Sequence, residues 1–370
     1  MSNTQQPLLT SFQLGDLQLK NRVVMSSLTR ARATNPELAP TSLMATYYAQ
    51  RASAGLIISE STWISPKAIG FINIPGIYTQ TQVAGWKLVT NAVHKNGGKI
   101  FLQLVHSGAA SHPEHLDGEI PRGPSPINLQ LQVYTEDGPQ DAVTPLAFTK
   151  AEIRETIADF KTAAENAKSA GFDGIELHAQ IFTLIPQFLS SAANQRTDEY
   201  GGSIENRARL LFEILDALKQ VWKSERIGVK FTPAAFNPGI LKPDEQTIAT
   251  YQYIFNRLND YHLAYVHLVG PAVDLYGTTI AALQENYFGQ FRKIYKGTLL
   301  SNLGFSRETG NRIIADGTAD LVSFGCPYIA NPDLVYRFAH DFPLAEADTN
   351  TFYGGYERGY IDYPAIIPVQ

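Results

Sequence analysis

Eight short runs rich in β-branched and other apolar residues recur along the chain, each followed by a loop and then by a helical pattern. They are RVVMSS from Arg22, GLIISEST from Gly55, KIFLQLVH from Lys99, GFDGIELH from Gly171, RIGVKFTP from Arg226, AYVHLVG from Ala264, GTLLSNLG from Gly297 and ADLVSFG from Ala319. Most are too continuously apolar for strands with one face in water, so they read as strands buried on both faces of a parallel sheet. Amphipathic stretches lie between them, such as KAEIRETIADFKTAAENAKSAG from Lys150 and SIENRARLLFEILDALKQVW from Ser203. Eight βα units in succession predict an α/β fold, a single (β/α)8 TIM barrel. FQLGDLQLKN reads as a short N-terminal hairpin turning at Gly15-Asp16 and closing the barrel floor. Ser107 to Phe148, rich in Pro and Gly, reads as a long loop after strand 3, of the kind that shapes a site. No linker or low-complexity stretch interrupts the 370 residues, so 1–370 reads as one domain.

Composition narrows the function classes. The formal net charge is −5 with no basic run, which argues against nucleic acid and against an anionic membrane as partner. Cys326 is the sole cysteine, so no internal disulfide forms, and a reducing compartment fits. The polar start MSNTQQPLLTSF has no signal-peptide pattern, and no apolar stretch spans a bilayer. The expectation is a cytoplasmic protein, monomer or homodimer, whose partner is a hydrophobic small molecule. HExxH, paired CxxC, GxSxG, GxxxxGK and GxGxxG are all absent, and no metal site is expected.

In this fold reacting groups sit just past the strand C-termini. Those ends carry Thr29, Glu60, Gln103, His106, His178, Lys230, Gly304 and Cys326, a polar ring with one evident base, His178, and one evident cation, Lys230. The NQRTDEYGGSIENR block reads as a loop-ordering ion-pair network in which Ser203 starts a helix. Ile181 and Phe182 read as apolar pocket wall, and Cys326 as a small buried hydrophobe.

NRVVMSSLTRARA, YYAQRASAGLIISE, FLQLVHSG, GFDGIELH, QFLSSAANQRTDEYGGSIENRAR, IANPDLV and TFYGGYERGYIDYP together resemble the old yellow enzyme family of FMN-dependent alkene reductases, over nearly the whole chain. The resemblance implies FMN across the barrel mouth. Thr29, Ser61, Gln103, Lys230, Gly304, Gly325 and Cys326 then fall at cofactor-binding positions, and Tyr353 falls near flavin and pocket. It also implies a histidine, matched by His178, that holds a substrate carbonyl. That histidine is paired with an asparagine or histidine three residues on, and a proton-donating tyrosine follows two residues later. Here those two positions are Ile181 and Thr183, a flavin-side tryptophan is Val105, and the phosphate turn reads Leu303-Gly304-Phe305. The phosphate-clamping arginine is Cys326. Losing such a charge-assisted contact costs roughly 1.5–3 kcal/mol.

These departures lead to an expectation of weak or no FMN binding, with NAD(P)H used only if FMN is bound. The leading expectation is a repurposed biosynthetic enzyme of specialised metabolism, an isomerase or cyclase acting non-reductively on an apolar conjugated molecule. His178, Lys230 and Tyr353 would be catalytic, and Val105, Ile181, Phe182, Thr183 and Leu303 would shape the substrate pocket. The alternatives are an FMN- and NAD(P)H-dependent ene reductase of altered substrate range, and a catalytically dead ligand-binding protein.

Overall fold

The computed structural model describes residues 6–236 and 239–366; part of the N-terminal stretch read for targeting lies outside this range. The eight apolar runs are the eight strands of a closed parallel barrel: β1 (Val23–Met25), β2 (Leu56–Trp63), β3 (Ile100–Val105), β4 (Gly174–Ala179), β5 (Ile227–Phe231), β6 (Tyr265–Val269), β7 (Leu299–Asn302) and β8 (Leu321–Phe324), with β8 pairing back onto β1. Helices cover the outside, so both faces of nearly every strand position are buried. That is why the runs lack a hydrophobic–polar alternation.

The barrel is filled in layers. At its N-terminal end Val24, Leu56, Ile58, Phe101, Tyr265, Leu300 and Leu321 pack with Leu14, Leu17 and Leu19 of the antiparallel hairpin Phe12–Leu14/Leu17–Leu19, which plugs the floor. The rings of Phe101 and Tyr265 stack at 5.9 Å. Their bulk requires glycine on the strands between them: a Cβ at Gly174 would sit 2.4 Å from Phe101, and one at Gly228 2.4 Å from Tyr265. One step further along the same inward faces, the filling turns polar. Successive inward residues of β4 are Gly174, Glu176 and His178, so the GIELH run rises from floor to mouth through three different chemistries.

The stretch after β3 is more ordered than a long loop. Gln132–Thr135 pairs antiparallel with Gly138–Asp141, and Arg122–Gly123 pairs with Leu146–Ala147. Val133 and Thr135 bury on one side of the hairpin, and Gly138 (φ 100) takes the left-handed turn. The stretch from Ser203 forms two helical segments, Ile204–Arg207 and Arg209–Lys219; Ser203 caps the first through the Asn206 amide. The charged block before it is an ordering network, with Arg196 on Asp198, Lys150 on Glu199 and Tyr200 on Glu213.

Three buried arginines fix the C-terminal segment. Arg32 donates to the Thr351 carbonyl (2.8 Å), Arg30 to Gly359 (2.7 Å) and Arg51 to Tyr328 (2.9 Å). Tyr47 and Tyr360 stack at 4.0 Å beneath these guanidinium groups. This clamp carries Tyr353 over the barrel mouth. No described helix is long and apolar enough to cross a membrane.

Candidate active site

A cavity of about 1110 Å³ opens at the C-terminal ends of β1 to β4. Among its walls are Thr29, Ser61, Gln103, Val105, His178, Ile181, Phe182, Thr183 and Tyr353, residues spread over more than 300 positions of sequence and brought together by the barrel. The hairpin after β3 contributes Gln132, Val133 and Tyr134, so the ordered insertion forms one side of the cavity. Phe71 stands between Tyr134 and Tyr353 with ring centroids 5.5 and 5.6 Å away, giving an aromatic wall near the opening.

Other residues of the expected ring lie elsewhere. Glu60 is fully buried on the opposite side of β2. A bulge between Ile58 and Ser61 inserts one residue, so Ser61 rather than Glu60 stands opposite Gln103 and faces the cavity. Glu60 accepts from the Arg30 amide (3.3 Å), and burial pushes its carboxyl up to about 7. His106 lies behind the wall, its Nδ1 accepting from the Gly108 amide (2.8 Å) and its ring against Phe148; it organises a turn. Leu303, expected in the substrate pocket, stands outside it. It is exposed at the end of β7 in a left-handed conformation (φ 83), followed by Gly304 (φ 75). Gly325 and Cys326 follow β8, the strand paired with β7, and Cys326 is exposed rather than buried as expected, because it opens the short helix Cys326–Ala330 at the barrel rim.

Lys230, expected to be catalytic, does not itself line the cavity. It is buried below the floor, and Nζ donates to Ser26 Oγ (3.1 Å) and Ser27 Oγ (2.9 Å). Burial lowers its pKa to about 8, so it is mostly charged at neutral pH, with the Glu176 carboxylate favouring the charge. Glu176 and His267 are the functional candidates that strand-end reading misses. Glu176 accepts from Gln103 Nε2 (2.6 Å) and pairs with His267 Nδ1 (2.8 Å), while His267 Nε2 meets Ser323 Oγ at 2.8 Å. Asn302, just before the Leu303 turn, donates to the same serine hydroxyl (2.8 Å). A polar residue on an apolar strand, two positions from an inward one, is the signal that could have found both: Glu176 precedes His178 by two, and His267 follows Tyr265 by two.

His178 lines the cavity, and burial together with the Lys230 charge holds its pKa down to about 3, so the imidazole is neutral. Its Nδ1 lies 3.3 Å from Thr183 Oγ1, and Nε2 has no protein partner among the described residues. Ile181 takes a left-handed backbone (φ 60), unusual for a β-branched residue.

A family model described as NADH:flavin oxidoreductase / NADH oxidase matches residues 7–345. This chain belongs to that family. The NADH:flavin oxidoreductase match agrees with its similarity to 12-oxophytodienoate reductase 1 of Oryza sativa subsp. japonica, 40% identical over 97% of this chain and 93% of the relative. It is 36% identical to 12-oxophytodienoate reductase 2 of Arabidopsis thaliana, over 97% and 96%. Among solved structures it resembles morphinone reductase, with TM-score 0.91, 43% identity and coverage of 99% and 98% of the two chains. An old yellow enzyme homologue from Zymomonas mobilis gives TM-score 0.90 at 37% identity, over 96% and 99%. The family is an enzyme family of flavin-dependent oxidoreductases. The expectation of a non-reductive isomerase or cyclase is therefore corrected: relatives matching over almost their whole length are named as reductases.

The cavity floor fits the ring of FMN. It offers the Ser27, Thr29 and Ser61 side chains set around the Gln103 amide, with a buried cation behind them whose hydrogen bonds among the described residues go to two serine hydroxyls. The phosphate end is altered. The left-handed turn suited to glycine is kept, but Leu303 puts a side chain there and Cys326 supplies no charge.

Proposed function

We propose that the chain is an FMN- and NAD(P)H-dependent ene reductase acting on hydrophobic α,β-unsaturated carbonyl compounds. The observation that carries this reading is the convergence of His178 with Thr29, Ser61 and Gln103 on one large, partly apolar cavity. Thr29, Ser61, Gln103 and, from beneath, Lys230 would hold the ring of FMN, and the Leu303–Gly304 turn with Gly325 and Cys326 would face its phosphate. When bound, FMN supplies the route by which reducing equivalents pass from NAD(P)H to the alkene.

The protein's share is orientation and proton handling. His178 holds the substrate carbonyl by a hydrogen bond, which favours negative charge developing on that oxygen. Being neutral, it carries one ring proton; Thr183 Oγ1 donates to the Gln180 carbonyl (3.0 Å) in this structure, so the tautomer with Nε2–H facing the substrate requires that hydroxyl to turn from the carbonyl to Nδ1. Thr183 itself is too weak an acid to replace a phenol as proton donor. Tyr353, at the cavity opening and 56% exposed, or water admitted beside it, supplies the proton for the α-carbon. Ile181, Phe182 and Val105 give the substrate an apolar seat and exclude water from the reacting carbon. Reduction of 2-cyclohexenone coupled to NAD(P)H oxidation by the purified, FMN-supplemented protein tests the reading. Stable absence of a flavin absorption band after incubation with excess FMN and desalting would sink it.

A further inference from the structure

Ser27 sits where two strong donors meet. Its Oγ lies 2.9 Å from Lys230 Nζ and 2.8 Å from Gln103 Nε2, and both nitrogens donate. A serine hydroxyl has two lone pairs and one hydrogen. Both lone pairs are thereby occupied, and the O–H has no acceptor among the described residues. Ser27 lines the cavity whereas Lys230 does not, so the remaining hydrogen is directed into the cavity floor. The Gln103 amide beside it is already committed. The second Gln103 N–H is held by Glu176 (2.6 Å), its carbonyl oxygen accepts from Ser61 (2.9 Å), and Lys230 places a second hydrogen on buried Ser26. Glu176 is locked in turn by His267.

We propose that Ser27 is the direct hydrogen-bond donor to the electron-accepting edge of the bound cofactor ring, and that Lys230 acts on that ring through Ser27. Hydrogen bonds accepted from a cation polarise the hydroxyl and strengthen the bond it donates. Such a donor favours the reduced ring over the oxidised one, because it grows stronger as the acceptor gains negative charge. Glu176 and His267 are positioning residues in this arrangement, since they fix the amide of Gln103 against Ser27. The inference rests on the ene-reductase reading, as it takes the cofactor as occupant of the floor.

The test uses the FMN-loaded protein and measures the FMN dissociation constant and the flavin midpoint potential. Ser27→Ala should shift the balance toward the oxidised form by about tenfold, which is about 30 mV for a two-electron couple. Ser27→Thr, which keeps the hydroxyl, should restore most of it. In a double-mutant cycle, Lys230→Gln should lower the potential in the presence of Ser27 and add little once Ser27 is alanine. Ser27→Cys, with a weaker donor of similar size, carries the test if the alanine variant does not fold. Additive effects of the two substitutions, or a potential unmoved by Ser27→Ala, would overturn the role of Ser27 while leaving the reductase reading intact. A wild-type protein that takes up no FMN would overturn both.

Discussion

Replacing Ile181 with asparagine separates two consequences of one residue. Ile181 holds φ 60 in the cavity wall. A left-handed backbone costs an ordinary residue about 1–2 kcal/mol, and asparagine tolerates it far better. Against that gain, Ile181→Asn removes a half-buried apolar side chain, worth about 0.8–1.5 kcal/mol at half the value for full burial. The terms nearly offset one another, so the melting temperature should move by no more than about 3 °C in either direction for a chain of this size. Activity should change much more. The amide adds a second donor for the substrate carbonyl beside His178, and removing one such donor from sites built for two costs about 10²–10³ in rate. Because this cavity opens past exposed Phe182 and Tyr353, water weakens the contact, and a rise in kcat/KM of about tenfold to a hundredfold is expected. Steady-state oxidation of NAD(P)H with 2-cyclohexenone measures it, alongside thermal unfolding. An unchanged kcat/KM in a variant of normal stability would refute the placement of the carbonyl between His178 and residue 181. A fall of more than about 5 °C would instead refute the strain argument.

Three further outcomes follow from the same geometry. Cys326→Arg should tighten FMN binding by about tenfold to a hundredfold, the worth of a charge-assisted phosphate contact, as read by flavin fluorescence titration; unchanged affinity would mean that position 326 does not meet the phosphate. Lys230 carries its charge below about pH 8, so FMN affinity should fall as pH rises through that value, and Lys230→Gln should abolish this dependence. Glu60 has its pKa raised from 4.5 to about 7, so between these values the folded state holds a proton that the unfolded state has lost. Stability therefore decreases as pH rises across that window, by up to about 3 kcal/mol, and the cost persists above it. Urea unfolding at pH 5 and pH 8 should register that difference in wild type and a much smaller one in Glu60→Gln; equal slopes would dismiss the buried carboxyl as its source.

The function was less legible than the fold, for a specific reason. Ile181, Thr183, Leu303 and Cys326 each depart from the family pattern, and together they suggested that reduction had been abandoned. Similarity over nearly the full length of the reductases points the other way. The structure shows why local departures are a poor guide. Ile181 and Thr183 line the same cavity as Thr29, Ser61 and Gln103, whereas Leu303 and Cys326 stand outside it, so the four are not one coordinated change. The ring floor is held by contacts between strands distant in sequence, and substitutions at the rim leave those contacts in place.

Periodicity and composition determined the barrel. Eight apolar runs could be satisfied only by strands buried on both faces, and the turn at Gly15-Asp16 and the helix start at Ser203 followed from local backbone chemistry. Those signals are short-range, so a single chain displays them openly. Tertiary structure alone decided which polar residues meet. One inserted residue in β2 turned Ser61 inward and Glu60 outward, and a bulge leaves no mark in the alternation of a strand that is apolar on both faces. Closure of the barrel set Lys230 and Gln103 on Ser27, joining positions more than 70 residues apart. Such meetings depend on register and strand order, and these are fixed only when all eight strands pack around the same core.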